Sequence, residues 1–125
     1  MNLVDSSGWL EYFGDGGNAD FFAPAIEDTE NLIVSAINIY EVFKKLLLEK
    51  DENVALHAVA AMRIALVQPV NEGIALAGAR ISHESGLPMA DGLILATARF
   101  HNAVLWTQDS DFVNIQGVKF IKARK

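Results

Sequence analysis

The feature that most constrains the fold is a short apolar run, Val104-Leu105-Trp106, that stops abruptly in Thr107-Gln108-Asp109-Ser110-Asp111. Consecutive apolar, β-prone residues without alternation read as a strand buried on both faces, and such strands belong to parallel sheets covered by helices. The polar groups that follow are delivered to the carboxyl end of the strand, where open α/β sheets place their sites. The beginning of the chain repeats the design: Leu3-Val4 ends in Asp5-Ser6-Ser7 and then becomes a helical pattern. Two strands therefore aim acids at one rim.

The rest of the chain alternates in the same way. Ser6 or Ser7 is expected to cap a helix through Trp9, Leu10 and Phe13, ending at Gly14-Asp15-Gly16-Gly17. That glycine cluster lacks the Gly-Lys-Ser/Thr of a phosphate loop and reads as a turn. A second helix is expected from Asn18 to about Thr29, with Pro24 tolerated in its early turns. Leu32-Ile33-Val34 reads as a strand stopped by Ser35, which caps a long helix to about Lys50. The apolar stripe of that helix is expected through Ala36, Ile39, Tyr40, Phe43, Leu46 and Leu47, with Glu41 off the stripe beside Ile37, Asn38 and Lys45. Another helix opens at Asp51-Glu52-Asn53 and runs through Val54, Ala58, Ala61 and Met62. Val67 to Val70 reads as an edge strand because it carries Pro69. Asn71-Glu72 starts a helix that closes near Gly86, and Asp91 stands at the entrance to a helix from Gly92 to His101. After the run ending in Trp106, a turn and Val118 to Ile121 supply a last strand. Short strands alternating with helices predict a three-layer α/β domain with a mostly parallel sheet, one domain spanning residues 1–125.

Composition excludes several classes of function. The absence of cysteine removes disulfides, thiol catalysis and zinc–thiolate sites. Asp5 stands where a signal peptide would be apolar, and no apolar run has membrane length, so a cytoplasmic protein with no membrane partner is expected. The net charge of −6 disfavours a protein that coats nucleic acid through Lys and Arg. Positive charge gathers at the end of the chain, in Lys119, Lys122, Arg124 and Lys125, which reads either as a guide for phosphates or as a solvated terminus.

Each acid taken singly has an ordinary explanation. Asp5 and Asp91 suit helix caps, Asp109 and Asp111 suit a turn, and Glu41 has Lys45 one helical turn later. Together they point elsewhere, because strand ends and the starts of the following helices share one rim of a parallel sheet. Two carboxylates about 4 Å apart repel by about 4 kcal/mol near a protein surface. A divalent cation relieves that repulsion, and all-oxygen ligation selects Mg²⁺ or Mn²⁺. Such an ion suits phosphodiester hydrolysis, with Ser6 and Thr107 available to orient a carboxylate or a water. His57, His83 and His101 have no ligand-like spacing, and Asp109-Ser110-Asp111 fails as a calcium loop because Asn114 and Phe120 occupy the glycine and glutamate positions.

With these residues in place, the chain resembles the PIN-domain endoribonucleases, most closely the VapC-type toxins of toxin–antitoxin pairs. The matching stretches are Leu3 to Ser7, Val34 to Val42, Asp91 to Ala98 and Val104 to Phe112, in the family's order and over nearly the whole chain. The resemblance implies a five-stranded parallel sheet and a Mg²⁺- or Mn²⁺-dependent ribonuclease. Its catalytic acids would be Asp5, Glu41, Asp91 and Asp109, with Asp5, Asp91 and Asp109 as metal ligands and Ser6, Thr107 and Asp111 as accessory groups. It further implies a homodimer, an RNA substrate and a cognate antitoxin whose tail covers the acidic pocket. Asn38 departs from the pattern, since relatives often carry a hydroxyl residue there. Two rival readings remain: a receiver-type phosphoacceptor domain, which leaves Glu41 and Asp91 without a role, and a catalytically silent PIN-like binding module.

Overall fold

A computed structural model describes residues 1–124. The expected alternation is present as β1 (Asn2–Val4), α1 (Ser6–Phe13), α2 (Ala19–Glu27), β2 (Leu32–Ser35), α3 (Ala36–Glu49), α4 (Glu52–Met62), β3 (Leu66–Gln68), α5 (Glu72–Ser85), α6 (Met89–Phe100), β4 (Val104–Thr107) and β5 (Val118–Phe120). Single 3₁₀ turns at Thr29–Asn31 and Ser110–Phe112 complete the path. The five strands form one sheet in the order β3-β2-β1-β4-β5, and every pairing is parallel. This order is not the 2-1-3-4-5 arrangement of receiver-type domains, so that rival reading fails at the level of topology.

The sheet is buried on both faces, which is why its strands lack alternation in sequence. Val4 and Val34 face a core built with Trp9, Phe22, Val42 and Met62, whereas Leu3, Ile33 and Leu105 face a second core built with Ile94, Leu95 and Phe112. The register pairs Leu3 with both Ile33 and Leu105, so each layer is continuous across the central strands. Sheet edges behave as expected: β3 is at one edge, with Pro69 just beyond its last residue instead of inside it. Among the described residues, no helix is long and apolar enough to cross a membrane.

Several boundaries and faces differ from the sequence reading. The helix after Asn18 ends at Glu27 and not near Thr29, because the chain tightens into a 3₁₀ turn before β2. On α3 the buried positions are Asn38, Val42 and Leu46, whereas Tyr40 is 60% exposed and Leu47 43%. The helix is rotated from the expected stripe because it packs on α4 along one side and on α1 along the other, which draws Asn38 inward. On α4 the inward residues are Ala55, Ala58 and Met62, and Val54 is largely exposed. The helix expected to begin at Gly92 begins three residues earlier, at Met89, which puts Asp91 inside its first turn.

Candidate active site

The chain leaves β1 and β4 in the centre of the sheet, at the point where the strand order reverses, and a crevice opens there. β1 and β4 are neighbours, with the Asp5 amide donating to the Trp106 carbonyl at 2.9 Å. Asp5 and Asp109 are therefore adjacent because their strands are. Glu41 arrives from the second turn of α3 and Asp91 from the first turn of α6. One cavity of about 280 Å³ is lined by Asp5, Ser6, Ser7, Leu10, Glu41, Lys45, Asp91 and Asp109. The four acids singled out by sequence thus meet on one surface. Asp91, Asp109 and Asp111 form the tightest group, each offering a carboxylate oxygen within 4.8 Å of the others. Asp5 lies outside that trio and Asp111 inside it.

The ordinary explanations of these acids fare unevenly. Asp5 occupies the cap position of α1 but its side chain makes no capping bond, and the cap of α6 is Pro88, not Asp91. Neither Ser6 nor Ser7 caps α1, since both sit in its first turn and give their hydroxyls to acids. Asp109 does form its turn, accepting the Asp111 amide at 2.9 Å. Lys45 turns to Glu49, 3.0 Å away, and Glu41 takes the hydroxyl of Ser6 instead.

Two buried relays hold the carboxylates. In the first, the Asp109 amide donates to Thr107 Oγ1 at 2.9 Å, and Thr107 Oγ1 donates to Asp5 Oδ2 at 2.8 Å. Ser7 Oγ donates to the same oxygen at 2.9 Å. In the second, the Ser35 amide donates to Asn38 Oδ1 at 3.1 Å, Asn38 Nδ2 donates to Ser6 Oγ at 3.0 Å, and Ser6 Oγ donates to Glu41 Oε1 at 2.7 Å. Thr107, Ser35 and Asn38 are fully buried and Ser6 nearly so. A buried hydroxyl whose acceptor lone pair is taken by an N–H has its proton directed at the remaining acceptor, here a carboxylate. Ser7 was not among the residues singled out for the site, and Asn38 entered only as a departure from the family pattern. The capping-box spacing from Ser35 to Asn38 was the signal for Asn38, and nothing local distinguished Ser7.

The fold makes two of these acids, Asp5 and Asp91, difficult to ionise. Burial pushes the Asp5 carboxyl from 3.8 up to about 6, opposed by the hydrogen bonds from Thr107 and Ser7, with repulsion from Asp109 adding to the rise. Burial also pushes Asp91 up to about 7, and repulsion from Asp5, Asp109, Asp111 and Glu41 reinforces it. Strongly perturbed carboxyls gathered in a crevice are the electrostatic mark of a functional site.

A family model described as PIN domain matches residues 3–118. The chain belongs to the PIN domain family. No curated protein sequence matches it. Among solved structures, this PIN domain is similar to a chain of a toxin–antitoxin complex from Klebsiella pneumoniae, at 23% identity and a TM-score of 0.81, covering 95% of this chain and 96% of that one. It is also similar to VapC20 of Mycobacterium tuberculosis, described as a Sarcin-Ricin loop cleaving toxin, at 18% identity and a TM-score of 0.78 over 100% of both chains. A third similar structure is PAE2754 from Pyrobaculum aerophilum, at 23% identity and a TM-score of 0.75, covering 96% of this chain and 88% of that one. At these identities the likeness to the solved structures is one of fold.

Proposed function

We propose that this PIN domain is a metal-dependent endoribonuclease that hydrolyses RNA phosphodiester bonds and serves as the toxin of a VapC-type toxin–antitoxin pair. The observation that carries the reading is the meeting of Asp91, Asp109 and Asp111 within 4.8 Å on a crevice that Asp5 and Glu41 also line. The donor set fits a hard cation: all candidate ligands are carboxylate oxygens, and opposite ligands of an ion bound at about 2.1 Å stand about 4 Å apart. Asp5, Asp91 and Asp109 would hold Mg²⁺ or Mn²⁺, with Asp111 beside them and Glu41 completing the cluster. When bound, such an ion supplies Lewis acidity and clamps phosphate oxygens.

The chain's own groups prepare the site for that role. Thr107 and Ser7 both donate to Oδ2 of Asp5 and so fix the orientation in which this carboxylate would meet a cation. Ser6 donates to Oε1 of Glu41 and so holds that carboxylate where it would orient an attacking water. The antitoxin partner is supported by a similar structure that is itself a toxin–antitoxin complex. A homodimer belongs to the same reading.

The test is cleavage of total RNA by the purified chain with Mg²⁺ or Mn²⁺ and again after chelation, alongside thermal unfolding. Cutting should appear only with the cation, and a cation at about a hundred times its Kd should stabilise the fold by about 2.7 kcal/mol. RNA binding without cleavage, indifferent to the cation, would favour the silent-module reading instead. Removing one support should have an intermediate effect. Thr107→Val keeps the shape but deletes the hydroxyl that steadies Asp5, so we expect cleavage to fall by roughly 10–100-fold, as for other outer partners of metal ligands. Cleavage by Thr107→Val within twofold of the parent would show that the first relay is idle.

A further inference from the structure

Lys45 occupies a position that neither the family motif nor the proposed chemistry uses. It lines the acidic cavity, and among the described residues it is the only cationic side chain to do so. It also lines a larger neighbouring groove of about 650 Å³ between α1, α3 and α4, whose lining carries Lys50 and His57 alongside Glu11 and Glu49. Ser7, Leu10 and Lys45 are common to both, so the two hollows are continuous and Lys45 stands at their junction.

A nucleic-acid strand entering this crevice meets at least four carboxylates. A bound cation offsets them at the scissile phosphate but not at the neighbouring phosphate, which needs a positive group of its own. We infer that Lys45 takes the RNA phosphate next to the scissile one, exchanging Glu49 for it as the strand passes from the acidic cavity into the groove. The inference rests on the nuclease reading and assigns that site a specific RNA-binding residue. The exchange is easy on energetic grounds. Lys45 and Glu49 are an (i, i+4) pair with side chains 52% and 49% exposed, and such pairs contribute only a few tenths of a kcal/mol. A phosphodiester offers the same ammonium one negative charge, as Glu49 does, and accepts a charge-assisted hydrogen bond from it, so little is lost in the exchange.

The experiment measures binding separately from cleavage. Full-length Asp109→Asn protein, made to stop cutting, and its Lys45→Gln and Lys45→Arg derivatives are titrated with a fluorescein-labelled single-stranded RNA across a range of salt. Lys45→Gln should bind roughly three- to tenfold more weakly at low salt, with the slope of log Kd against log salt reduced by about 0.7, the value for one lost phosphate contact on a single strand. Lys45→Arg should restore both. In the cleaving background, Lys45→Gln should raise KM and leave kcat within about twofold. A Lys45 that merely pairs with Glu49 would shift the melting temperature slightly and leave Kd, the salt slope and KM unchanged, which would overturn the inference while the parent still cuts RNA. A parent chain that neither binds nor cuts RNA with Mg²⁺ or Mn²⁺ would overturn the nuclease reading first, and this inference with it.

Discussion

Asp5→Asn is expected to abolish cleavage and, at the same time, to make the metal-free protein more stable at neutral pH. The loss of activity should be about a thousandfold or more, about 4 kcal/mol of barrier, because on the proposed reading the substitution removes a charge from the cluster that would hold the cation. The gain in stability follows from the sign of the pKa change. The Asp5 carboxyl is raised from 3.8 to about 6 in the fold, chiefly by burial. Between those values the folded state retains a proton that the unfolded state has lost, so stability falls as pH rises through this window and stays low above it. The rise corresponds to about 3 kcal/mol. Asparagine has no charge to desolvate and keeps an oxygen for the hydroxyls of Thr107 and Ser7. At pH 7.5 without metal, the variant should melt roughly 10 °C above the parent. At pH 4 the two should nearly coincide, since both carry a neutral group. Thermal unfolding at both pH values checks this. An Asp5→Asn protein that melts below its parent at pH 7.5, or one that still cuts RNA, would contradict the account. The same comparison with saturating Mn²⁺ should reverse the order, because only the parent retains its full set of carboxylates for the ion.

The second large effect is expected at Gly92, one residue beyond Asp91. A Cβ at Gly92 would lie 2.8 Å from the Gly78 carbonyl oxygen and collide with the Ser82 hydroxyl, while one at Gly78 would lie 3.1 Å from the Leu93 Cα. The two helices α5 and α6 thus approach backbone to backbone: the Ser82 hydroxyl can rotate aside, but the Gly78 carbonyl and the Leu93 backbone cannot. Glycine to alanine inside a helix ordinarily stabilises by roughly 1 kcal/mol. Gly92→Ala is expected to destabilise instead, and Gly92→Val to cost about 3 kcal/mol or more, since overpacking here must separate whole helices. Gly73 provides the control within α5: a Cβ there meets only Asn71 Oδ1 at 3.5 Å, so Gly73→Ala should stabilise slightly. Separation of α5 from α6 also moves the first turn of α6 and with it Asp91. Cleavage per folded molecule should therefore fall in Gly92→Ala as well. Opposite signs for Gly73→Ala and Gly92→Ala in denaturant unfolding would verify the close approach; equal stabilisation would refute it.

Much of the architecture was legible in the residues. Leu3-Val4, Leu32-Ile33-Val34 and Val104-Leu105-Trp106 lack alternation because each strand is buried on both faces, and that pattern alone required helices above and below a parallel sheet. Ser35, Asp51 and Asn71 start helices through bonds to the backbone that their side-chain chemistry makes favourable, and Gly86 ends one with φ of 77°. The rim on which Asp5, Glu41, Asp91 and Asp109 lie was legible for the same reason, since Asp5 and Asp109 follow strands, Asp91 lies at a helix start and Glu41 lies early in the helix after β2. Less legible was the face that a helix turns inward. Periodicity identifies an apolar stripe but not the neighbours that claim it, so α3 presents Asn38, Val42 and Leu46 and leaves Tyr40 in solvent.

The sequence by itself determined the class of fold, the positions of the acids at element ends and the oxygen-only chemistry available to them, because these depend on local propensity and on the parallel sheet having a single rim. Tertiary structure alone decided the rest. Strand order brings β1 beside β4 and so sets Asp5 against Asp109. The start of α6 at Met89 and the turn after Asp109 bring Asp111 into the closest trio. Lys45 faces Glu49 and the cavity mouth instead of Glu41. Distances between side chains far apart in the chain depend on the placement of every intervening element, and a small rotation in any of them moves a carboxylate by more than the length of a hydrogen bond.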